Sequence, residues 1–435
     1  MLERLFALET FGIKLGLENI RRLCEALDHP ERTFTSLHVA GTNGKGSVTA
    51  MAHAALTAAG IRAGRYTSPH LVLLNERFVV GNTPVDAATL TDVAAFVLDC
   101  ADRLRRDGVL AAPPTFFEAT TAIGFEIFRR ARVEAAVIEV GLGGRFDATN
   151  VLAPPVGAIT SIAFDHQQHL GDTLTQIAFE KAGVIKPGMT VVCGALPREA
   201  MDVMTRVAAE RGARLIDASA ESHVEYTMED GRARVTITTP AAQYGPLRLA
   251  LRGEHQVANA LVAVRLLESA RERGLPITQP AIESGLGEVE WPARLELLEL
   301  KNGRRVLLDA AHNAEGAHAL RDYLARWHPE RPPLVLGIMR DKDTDAIVAE
   351  LLPVTSTVIA TAADTPRALP ASELAARVRA LDAERSVLEW PNVTEALERA
   401  WDASPTVCVA GSIFLVGAVR DHLWPADASR GGGGT

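Results

Sequence analysis

Short apolar segments rich in β-branched residues alternate with longer amphipathic segments along most of this chain. The apolar segments are 34–40, 135–140, 156–162 and 190–193 in the first part, and 306–308, 334–338, 357–360 and 407–409 in the last part. This alternation of strand and helix patterns is typical of parallel sheets whose two faces are covered by helices. The chain is therefore predicted to have an α/β fold.

A different pattern separates the two series. Residues 224–251 alternate apolar and polar side chains around an Asp-Gly turn, which predicts a small antiparallel sheet. A helix is predicted over 257–271, and further along the chain Pro292 blocks a continuing helix. We therefore predict two domains and a flexible glycine-rich end, with bounds 1–296, 297–425 and 426–435.

Composition narrows the class of protein. The 435 residues include 45 basic and 54 acidic ones, a formal charge of −9, and 47% of the residues are hydrophobic. Because no run of Lys and Arg exceeds the short patch at 103–106, general binding to nucleic acid or to a membrane surface is disfavoured. No stretch approaches the ~18 apolar residues of a membrane-spanning helix.

The cysteines lie far apart, at Cys24, Cys100, Cys193 and Cys408. This spacing argues against a zinc site or a disulfide framework and fits a cytoplasmic protein.

A glycine-rich turn joins the first predicted strand to a helix that is expected to begin near Ser47. The turn consists of Gly41, Thr42, Asn43, Gly44, Lys45, Gly46 and Ser47. Its glycines let backbone N–H groups face an anion, and the start of the helix contributes a positive dipole end. Lys45 can neutralise phosphate oxygens, although the spacing is not that of the strict eight-residue P-loop. The turn predicts a site for the phosphates of a nucleotide.

Polar side chains also follow other predicted strands. Glu139 ends one strand, and a carboxylate at this edge of a parallel sheet is a natural Mg²⁺ ligand, with a salt bridge as the alternative. Ser68 could offer a hydroxyl to the same ion or belong to a plain Ser-Pro turn. His166 follows another strand and is a candidate metal ligand. Lys181 lies on a helix predicted over 174–184, where a solvated lysine is the ordinary interpretation.

The glycine-rich loop that follows Glu139 does not fit a dinucleotide-binding pattern. Phe146 stands where the third glycine of that pattern would be required. This weakens the hypothesis of an oxidoreductase.

Residues 115–118 predict the start of another helix. Thr115 and Glu118 have the spacing of a capping box. Capping does not account for the adjacent Phe116 and Phe117, which could sandwich a flat heteroaromatic ligand.

The last part of the chain repeats the strand-end pattern. Asp309 and His312 follow a predicted strand, and Arg294 lies between the predicted domains. The helix that starts within residues 253–260 carries polar groups able to contact a purine. Their shared location at strand ends favours a common site.

In this order the motifs resemble those of the dihydrofolate synthase/folylpolyglutamate synthase family of the Mur-ligase superfamily. The resemblance covers about residues 13–420 and rests on 41–47, 67–71, 75–77, 115–118, 139–150, 165–166, 180–183, 253–259, 291–296, 309–313, 341–343, 366–368 and 411–412. It implies an N-terminal P-loop-type ATPase domain, whose helix-flanked parallel sheet has a small antiparallel excursion, and a smaller C-terminal Rossmann-like α/β domain.

The activity that this resemblance implies is ATP-dependent amide ligation. A substrate carboxylate attacks the γ-phosphate of ATP, and the amine of L-glutamate displaces phosphate from the acyl phosphate. The family's substrates are dihydropteroate, for dihydrofolate synthase, and tetrahydrofolates, for folylpolyglutamate synthase. We favour both activities because residues 115–118 accompany the bifunctional members, and the family expectation is a monomer.

The resemblance also implies roles for individual residues. Lys45 and its loop hold the ATP phosphates, Ser68 and Glu139 bind one Mg²⁺, and His166 with a carbamylated Lys181 binds a second. Carbamylation turns the cationic lysine into an anionic oxygen ligand. Asn259, Arg294 and Asp309 are implied to contact ATP. His312 and Ser412 are implied to lie near the reacting end of the substrate and near glutamate. The pterin part of the substrate is implied to contact Leu15, Gly16, Leu17, Thr115, Phe116, Phe117, Glu118, Phe146, Asp147 and Ala148.

Three residues depart from the family's pattern. Phe146 replaces a usual leucine beside the implied pterin pocket, and Ala293 and Ala310 replace usual glycines beside the implied ATP contacts. Two other functions compete with this interpretation. One is a different amino-acid ligase of the same superfamily, which would not need a folate-shaped pocket. The other is a non-catalytic nucleotide-binding regulator.

Overall fold

The computed structural model describes residues 2–11 and 16–424. Its strands in chain order are β1 Thr35–Ala40, β2 Ala63–Tyr66, β3 Phe78–Val80, β4 Thr83–Pro84, β5 Ala135–Glu139, β6 Val156–Ile159, β7 Thr190–Cys193, β8 Arg214–Asp217, β9 His223–Glu229, β10 Arg232–Thr238, β11 Gln243–Arg252, β12 Glu296–Glu299, β13 Arg305–Leu308, β14 Leu334–Leu336, β15 Thr357–Ala360, β16 Ser386–Glu389 and β17 Thr406–Ala410.

The α-helices complete the α/β fold that the sequence predicts. In chain order they are α1 Leu2–Phe6, α2 Glu18–Ala26, α3 Lys45–Ala58, α4 Ala87–Arg106, α5 Phe116–Arg130, α6 Gln167–Leu170, α7 Leu174–Ala182, α8 Arg198–Glu210, α9 His255–Glu272, α10 Gln279–Gly287, α11 Ala314–Trp327, α12 Thr344–Leu351, α13 Ala371–Leu381, α14 Val393–Ala403 and α15 Ile413–Leu423.

The first sheet has the strand order β4-β3-β2-β5-β1-β6-β7-β8. Its central strands are parallel, and the register pairs Val39 with Glu139 and Ala40 with Ile159. The carboxyl ends of β1, β5 and β6 are therefore level with one another. Polar residues that follow these three strands meet at one edge, which we call the carboxyl edge of the first sheet.

Helices cover both faces of this sheet because successive side chains of a strand point to opposite faces. Leu37 and Val137 pack into a core formed with α3, α9 and α10. Ile138 packs on the other face into a core formed with α2, α4 and α5. Burial on both faces explains why these strands read as continuous apolar runs in the sequence.

The predicted antiparallel excursion is confirmed as a three-stranded sheet of order β11-β10-β9. Its strands pair antiparallel throughout. Ile237 and Tyr244 are buried in the same core as α3 and α9, so this small sheet extends the first unit.

The second large sheet has the order β12-β13-β17-β14-β15-β16, in which only β12 is antiparallel to its neighbour. It begins at Glu296, beside the boundary predicted from the sequence. The division into 1–296 and 297–425 stays a prediction, and residues 426–435 lie outside the described part of the chain.

The strand predicted over 156–162 is wrong in its end, because β6 stops at Ile159. The next two residues turn away to hold the glycine-rich turn. Thr160 Oγ1 donates to the carbonyl of Asn43 at 2.6 Å, and the N–H of Asn43 donates to Ser161 Oγ at 2.9 Å. Across residues 2–11 and 16–424, no helix is long and apolar enough to cross a membrane.

Candidate active site between the two sheets

The glycine-rich turn follows β1 directly and opens α3, which begins at Lys45, two residues before the predicted start. Gly41 and Gly44 adopt φ values of +148° and +82°. A Cβ at Gly41 would lie 2.0 Å from Thr160 Oγ1, and a Cβ at Gly44 would lie 2.3 Å from Asn259 Oδ1. Both conformation and space therefore require glycine here, and the N-terminus of a fourteen-residue helix faces the turn.

Two lysines meet at this turn. Lys45 Nζ donates to the carbonyl oxygens of Gly41 and Thr42 at 3.1 and 2.9 Å, and Lys181 Nζ donates to Gly41 O at 2.8 Å. Lys181 is only 4% exposed. Burial, together with the nearby charge of Lys45, lowers the pKa of Lys181 to about 7. Burial also lowers the pKa of Lys45, and the charge of Glu139 opposes that shift.

Glu139 lies at the same edge, at the end of β5. Its Oε2 accepts a hydrogen bond from the backbone N–H of Ser68 at 3.2 Å, so the predicted pair Ser68 and Glu139 is adjacent in space. Burial raises the pKa of Glu139, and Lys45 is the charge that most strongly opposes this. A hydroxyl and a carboxylate beside each other offer the oxygen donors that Mg²⁺ prefers.

His166 lies after β6, at the start of α6, where its backbone is left-handed with φ +50°. The neighbouring Asp165 binds the ammonium of Lys342 at 2.6 Å, and that ammonium is 3.2 Å from His166 Nε2. Burial opposes ionisation of Asp165. A hydrogen bond from His312 and the charges of His166 and Lys342 outweigh this effect, so the pKa of Asp165 is well below its usual range.

Polar contacts cross from the second sheet to the glycine-rich turn. Asn313 Nδ2 donates to Asn43 Oδ1 at 3.0 Å and to Asp165 Oδ2 at 3.3 Å. His312 Nε2 is 3.6 Å from Asp165 Oδ2, and its Nδ1 is 2.9 Å from the carbonyl of Ala310. The loop after β13 thus lies over the carboxyl edge of the first sheet, and the two sheets share one site.

The donor set at this edge is not that of a metal centre built from imidazoles, thiolates and carboxylates alone. In the part of the chain that the structure describes, no three His, Cys, Asp or Glu side chains are grouped so that they could hold a metal. The first predicted pair, Ser68 and Glu139, fits Mg²⁺ by its oxygen donors. The second pair fits only if Lys181 is converted to an oxygen ligand, because an ammonium cannot coordinate a cation.

Comparison with known proteins agrees with this arrangement. The model of the Mur ligase middle domain matches residues 115–267, and that of the Mur ligase glutamate ligase domain matches residues 293–413. A dihydrofolate synthase/folylpolyglutamate synthase of Bacillus subtilis is 33% identical over 421 residues, which cover 95% of this chain and 96% of the relative. The chain belongs to the dihydrofolate synthase/folylpolyglutamate synthase family.

Solved structures of this family have the same fold. Folylpolyglutamate synthase of Mycobacterium tuberculosis in complex with ADP matches with a TM-score of 0.90 and 32% identity, over 97% of this chain and 98% of that one. A bifunctional folylpolyglutamate synthase/dihydrofolate synthase with Mn, AMPPNP and L-glutamate bound matches with a TM-score of 0.82 and 30% identity, over 96% and 97% of the two chains. Both structures were solved with a nucleotide present.

Of the nucleotide contacts expected for the family, Asn259 lies beside the start of α3. Asn259 packs against Gly44 and donates to Gln256 Oε1 at 3.0 Å, and Gln256 Nε2 donates to Ser47 Oγ at 3.3 Å. Arg294 lies in the loop before β12. Asp309 is buried and accepts from the N–H groups of Leu295 and Ala311, so part of its role is to shape that loop.

The capping box predicted at α5 is confirmed. The N–H of Thr115 donates to Glu118 Oε2 at 2.7 Å, and the N–H of Glu118 donates to Thr115 Oγ1 at 3.1 Å. The two side chains thus fix the start of the helix that carries Phe116 and Phe117.

The prediction that Phe116 and Phe117 sandwich one flat ligand is wrong. Phe116 stacks on Phe6 with ring centroids 5.8 Å apart, whereas Phe117 packs near Tyr66 with centroids 6.2 Å apart. Consecutive residues of a helix point about 100° apart, so their rings cannot face each other across one slot.

The other residues implied for the pterin surround the loop after β5. Phe146 is 37% exposed beneath the guanidinium of Arg145, whereas Asp147 and Ala148 are buried. Gly16, with φ +139°, and Leu17 precede α2. Leu15 lies outside the described residues.

Ser412 is buried and caps α15 by accepting from the N–H of Phe414 at 3.2 Å.

Three polar residues of this site were not assigned individual roles from the sequence. Asp165, Asn313 and Lys342 form the contacts that join the second sheet to the first. Each lies just after a strand, at 6, 5 and 6 residues beyond the last residue of β6, β13 and β14. Position relative to a strand end is the signal that could have found them.

Proposed function

We propose that this chain is an ATP-dependent ligase that joins L-glutamate to dihydropteroate and to the γ-carboxylate of tetrahydrofolates through an acyl phosphate. The observation that carries the proposal is the meeting of Lys45, Glu139 and Lys181 at one phosphate-binding turn, covered by the loop that bears His312. Family membership supports the activity, and the bifunctional name of the Bacillus subtilis relative supports two pterin substrates.

The glycine-rich turn would bind the nucleotide's phosphates. The N–H groups at the start of α3 face the turn, and Lys45 is held there by two carbonyl oxygens that a phosphate can replace. Asn259, Arg294 and Asp309 would contact the rest of the nucleotide. Phosphoryl transfer depends mainly on positioning and on charge stabilisation, and these groups supply both.

Ser68 and Glu139 would hold one Mg²⁺. Its chemistry, when bound, is to offset the negative charge that develops during phosphoryl transfer. The backbone N–H of Ser68 donates to the Glu139 carboxylate, and the charge of Lys45 opposes the rise that burial causes in its pKa. The chain therefore places carboxyl and hydroxyl oxygens beside the turn.

His166 and a carbamylated Lys181 would hold a second Mg²⁺. With a pKa of about 7, Lys181 has a substantial neutral fraction at neutral pH. The neutral amine can attack CO₂, forming an N–C bond and losing a proton to water, and the resulting carbamate is an anion with two oxygens. Burial of Lys181, which penalises its cationic form, thus favours the form that a metal site requires.

His312 and Ser412 would act at the reacting end. His312 reaches Asp165 across the cleft, and Ser412 lies at the N-terminus of α15, after β17. The positive end of that helix suits the carboxylates of L-glutamate. The pterin would lie along the loop of Phe146, Asp147 and Ala148 and the start of α5, and would stack on Phe116 by displacing Phe6 or Arg77 from that ring.

The activity can be tested by ADP release from the purified protein with Mg²⁺ and L-glutamate. Dihydropteroate, tetrahydrofolate and no pterin are compared, and the product mass is measured. Glutamate-dependent release with both pterins and a product heavier by one glutamyl residue supports the proposal. Release with neither pterin contradicts it, and release with one pterin contradicts the bifunctional assignment.

The carbamate can be tested separately by carbon NMR of the protein in isotopically labelled bicarbonate. A carbamate signal is expected for the wild type and for Lys301→Ala, which removes an exposed lysine. The signal should be missing in Lys181→Ala. Its absence from a fully active wild-type enzyme would contradict the second metal site.

A further inference from the structure

A buried chain of hydrogen bonds lies behind the loop that follows β5. Asp147 Oδ1 is 2.5 Å from the hydroxyl oxygen of Thr149, and that hydroxyl oxygen is 2.8 Å from Nε2 of His38 on β1. His38 and Thr149 are fully buried, and Asp147 is 5% exposed. The family resemblance gives a role to Asp147 but none to His38 or Thr149.

The acceptor positions of Asp147 are nearly all occupied by its own loop. Oδ1 accepts from both the N–H and the hydroxyl of Thr149, and Oδ2 accepts from the N–H of Leu142 at 2.8 Å. An ionised carboxylate has about four acceptor positions. The backbone N–H of Gly141 also interacts with this carboxylate. The acceptor capacity left for a ligand lies on Oδ2, the oxygen that Thr149 does not touch.

Asp147 relies on these donors because no cation neutralises it directly. Among the described residues, no Lys, Arg or His forms an ion pair with Asp147. Burial raises the pKa of Asp147, and the hydroxyl of Thr149 is the group that most strongly opposes this. Without that hydroxyl, the carboxyl would more readily take up a proton and lose acceptor capacity.

The protons that each group carries determine which groups donate and which accept along this hydrogen-bond chain. An ionised Asp147 has no proton to give, so the single hydroxyl proton of Thr149 points to Asp147. Thr149 Oγ1 must then accept from His38, which requires a proton on Nε2. His38 Nδ1 is consequently unprotonated, and it is buried without a hydrogen-bond partner. Burial lowers the pKa of His38 to about 3, so the ring stays neutral.

We propose that His38 and Thr149 are positioning residues for the pterin substrate, which hold the Asp147 carboxylate so that Oδ2 accepts an N–H of the pterin ring. This inference rests on the proposed function. A pterin carries amino and amide N–H groups on one edge of its ring, and a fixed, anionic acceptor recognises that edge. His38 fixes the hydroxyl of Thr149, and Thr149 fixes Asp147, so neither residue has to touch the substrate.

Thr149→Val tests the hydrogen-bond chain because it removes the hydroxyl of residue 149 and keeps the shape of the side chain. We expect the KM for dihydropteroate to rise about tenfold, since a hydrogen bond to a charged group is lost. The KM values for ATP and L-glutamate should stay within about twofold. Thr149→Ser restores the hydroxyl and should restore the KM for dihydropteroate.

The matched control is Thr355→Val, which removes an equally buried hydroxyl that donates to the carbonyl of Leu351, in the part of the chain that forms the second large sheet. It should not reproduce the selective effect of Thr149→Val. Equal rises in all three KM values for Thr149→Val, or failure of Thr149→Ser to restore the KM for dihydropteroate, would overturn the positioning role.

Nitrogen NMR of histidine-labelled protein tests the chain without any turnover. Among the histidine signals of the wild type, the one that is lost in His38→Leu should be that of a neutral ring with a proton on Nε2 and none on Nδ1, and it should stay so in mildly acidic solution. A proton on Nδ1 of His38 would contradict the direction of the chain. If the wild type ligates glutamate to no pterin, the proposed function is contradicted. The NMR measurement still decides whether the hydrogen-bond chain from His38 to Asp147 exists.

Discussion

The ammonium groups of Lys45 and Lys181 donate to the same acceptor, the carbonyl oxygen of Gly41, at 3.1 and 2.8 Å. Lys45 comes from the start of α3 and Lys181 from the last turn of α7, so two helices direct cations to one peptide group. Like charges this close disfavour each other's protonated form. One lysine can remain a cation for phosphate while the other becomes available for chemical modification.

The burial of Lys181 should affect stability in a defined pH window. Its pKa is about 7 in the folded protein and 10.5 when unperturbed, so the unfolded chain binds more protons between these values. The loss of folding stability caused by burial of the Lys181 ammonium is therefore fully present below pH 7, and it disappears as the pH rises towards 10.5. In bicarbonate-free buffer we expect Lys181→Met to raise the free energy of unfolding at pH 7 by a few kcal/mol at most, and the gain should shrink towards pH 10.

Urea unfolding followed at several pH values measures this effect. Lys301→Met, at an exposed position, serves as the control and should give no pH-dependent difference. A gain for Lys181→Met that is the same at pH 7 and pH 10 would contradict the lowered pKa of this lysine.

Replacement of Lys45 should abolish ligation without unfolding the protein. Lys45→Ala removes the cation that the turn directs at the phosphates, and loss of one such group typically costs about 100-fold or more in turnover. Glutamate-dependent ADP release measures the activity, and thermal unfolding measures the fold. Near-normal turnover would exclude Lys45 from the phosphate site.

Ala293 and Ala310 offer a matched pair at positions where the family usually has glycine. Both are buried, but Ala293 has φ +61° in the left-handed region, and Ala310 does not have a positive φ. A non-glycine residue pays ~1–2 kcal/mol in that region. Because Ala293→Gly relieves this strain, it should lower the free energy of unfolding by about 1 kcal/mol less than Ala310→Gly does. Urea unfolding of both variants measures the difference, and equal losses would show that Ala293 is not strained.

Phe116 should matter more for the pterin than for ATP. Its ring, at the start of α5, already stacks on Phe6 and lies under the guanidinium of Arg77, so a pterin would stack on it by displacing one of these neighbours. We expect Phe116→Ala to raise the KM for dihydropteroate several-fold with little change in the KM for ATP. Phe96→Ala, which removes an exposed ring on α4, is the control. An equal loss for both substrates would favour a packing role.

The parts of the site that depend on one local segment could be predicted from the sequence. Spacing alone identified the glycine-rich turn, the capping box of Thr115 and Glu118, and the place of Glu139 at a strand end. In each case the relevant neighbours are a few residues away or are fixed by the register of a parallel sheet. The alternation at 224–251 predicted the small antiparallel sheet for the same reason.

Contacts between distant segments could not be predicted in this way. The bond between Asn43 and Asn313 depends on how the second sheet lies over the first, and the chain from His38 to Asp147 joins residues more than a hundred positions apart. Adjacency of Phe116 and Phe117 in the sequence does not show where their rings lie, because neighbouring residues of a helix point in different directions. Helical geometry separates them.

Transfer of oxygen from substrate to phosphate tests the central claim most directly. Dihydropteroate labelled with heavy oxygen in its carboxylate is incubated with the protein, ATP, Mg²⁺ and L-glutamate, and the released phosphate is analysed by mass spectrometry. If the carboxylate attacks the γ-phosphate and the amine then displaces phosphate, one labelled oxygen must appear in each phosphate. Unlabelled phosphate accompanying a glutamylated product would contradict the acyl phosphate and the function proposed for this site.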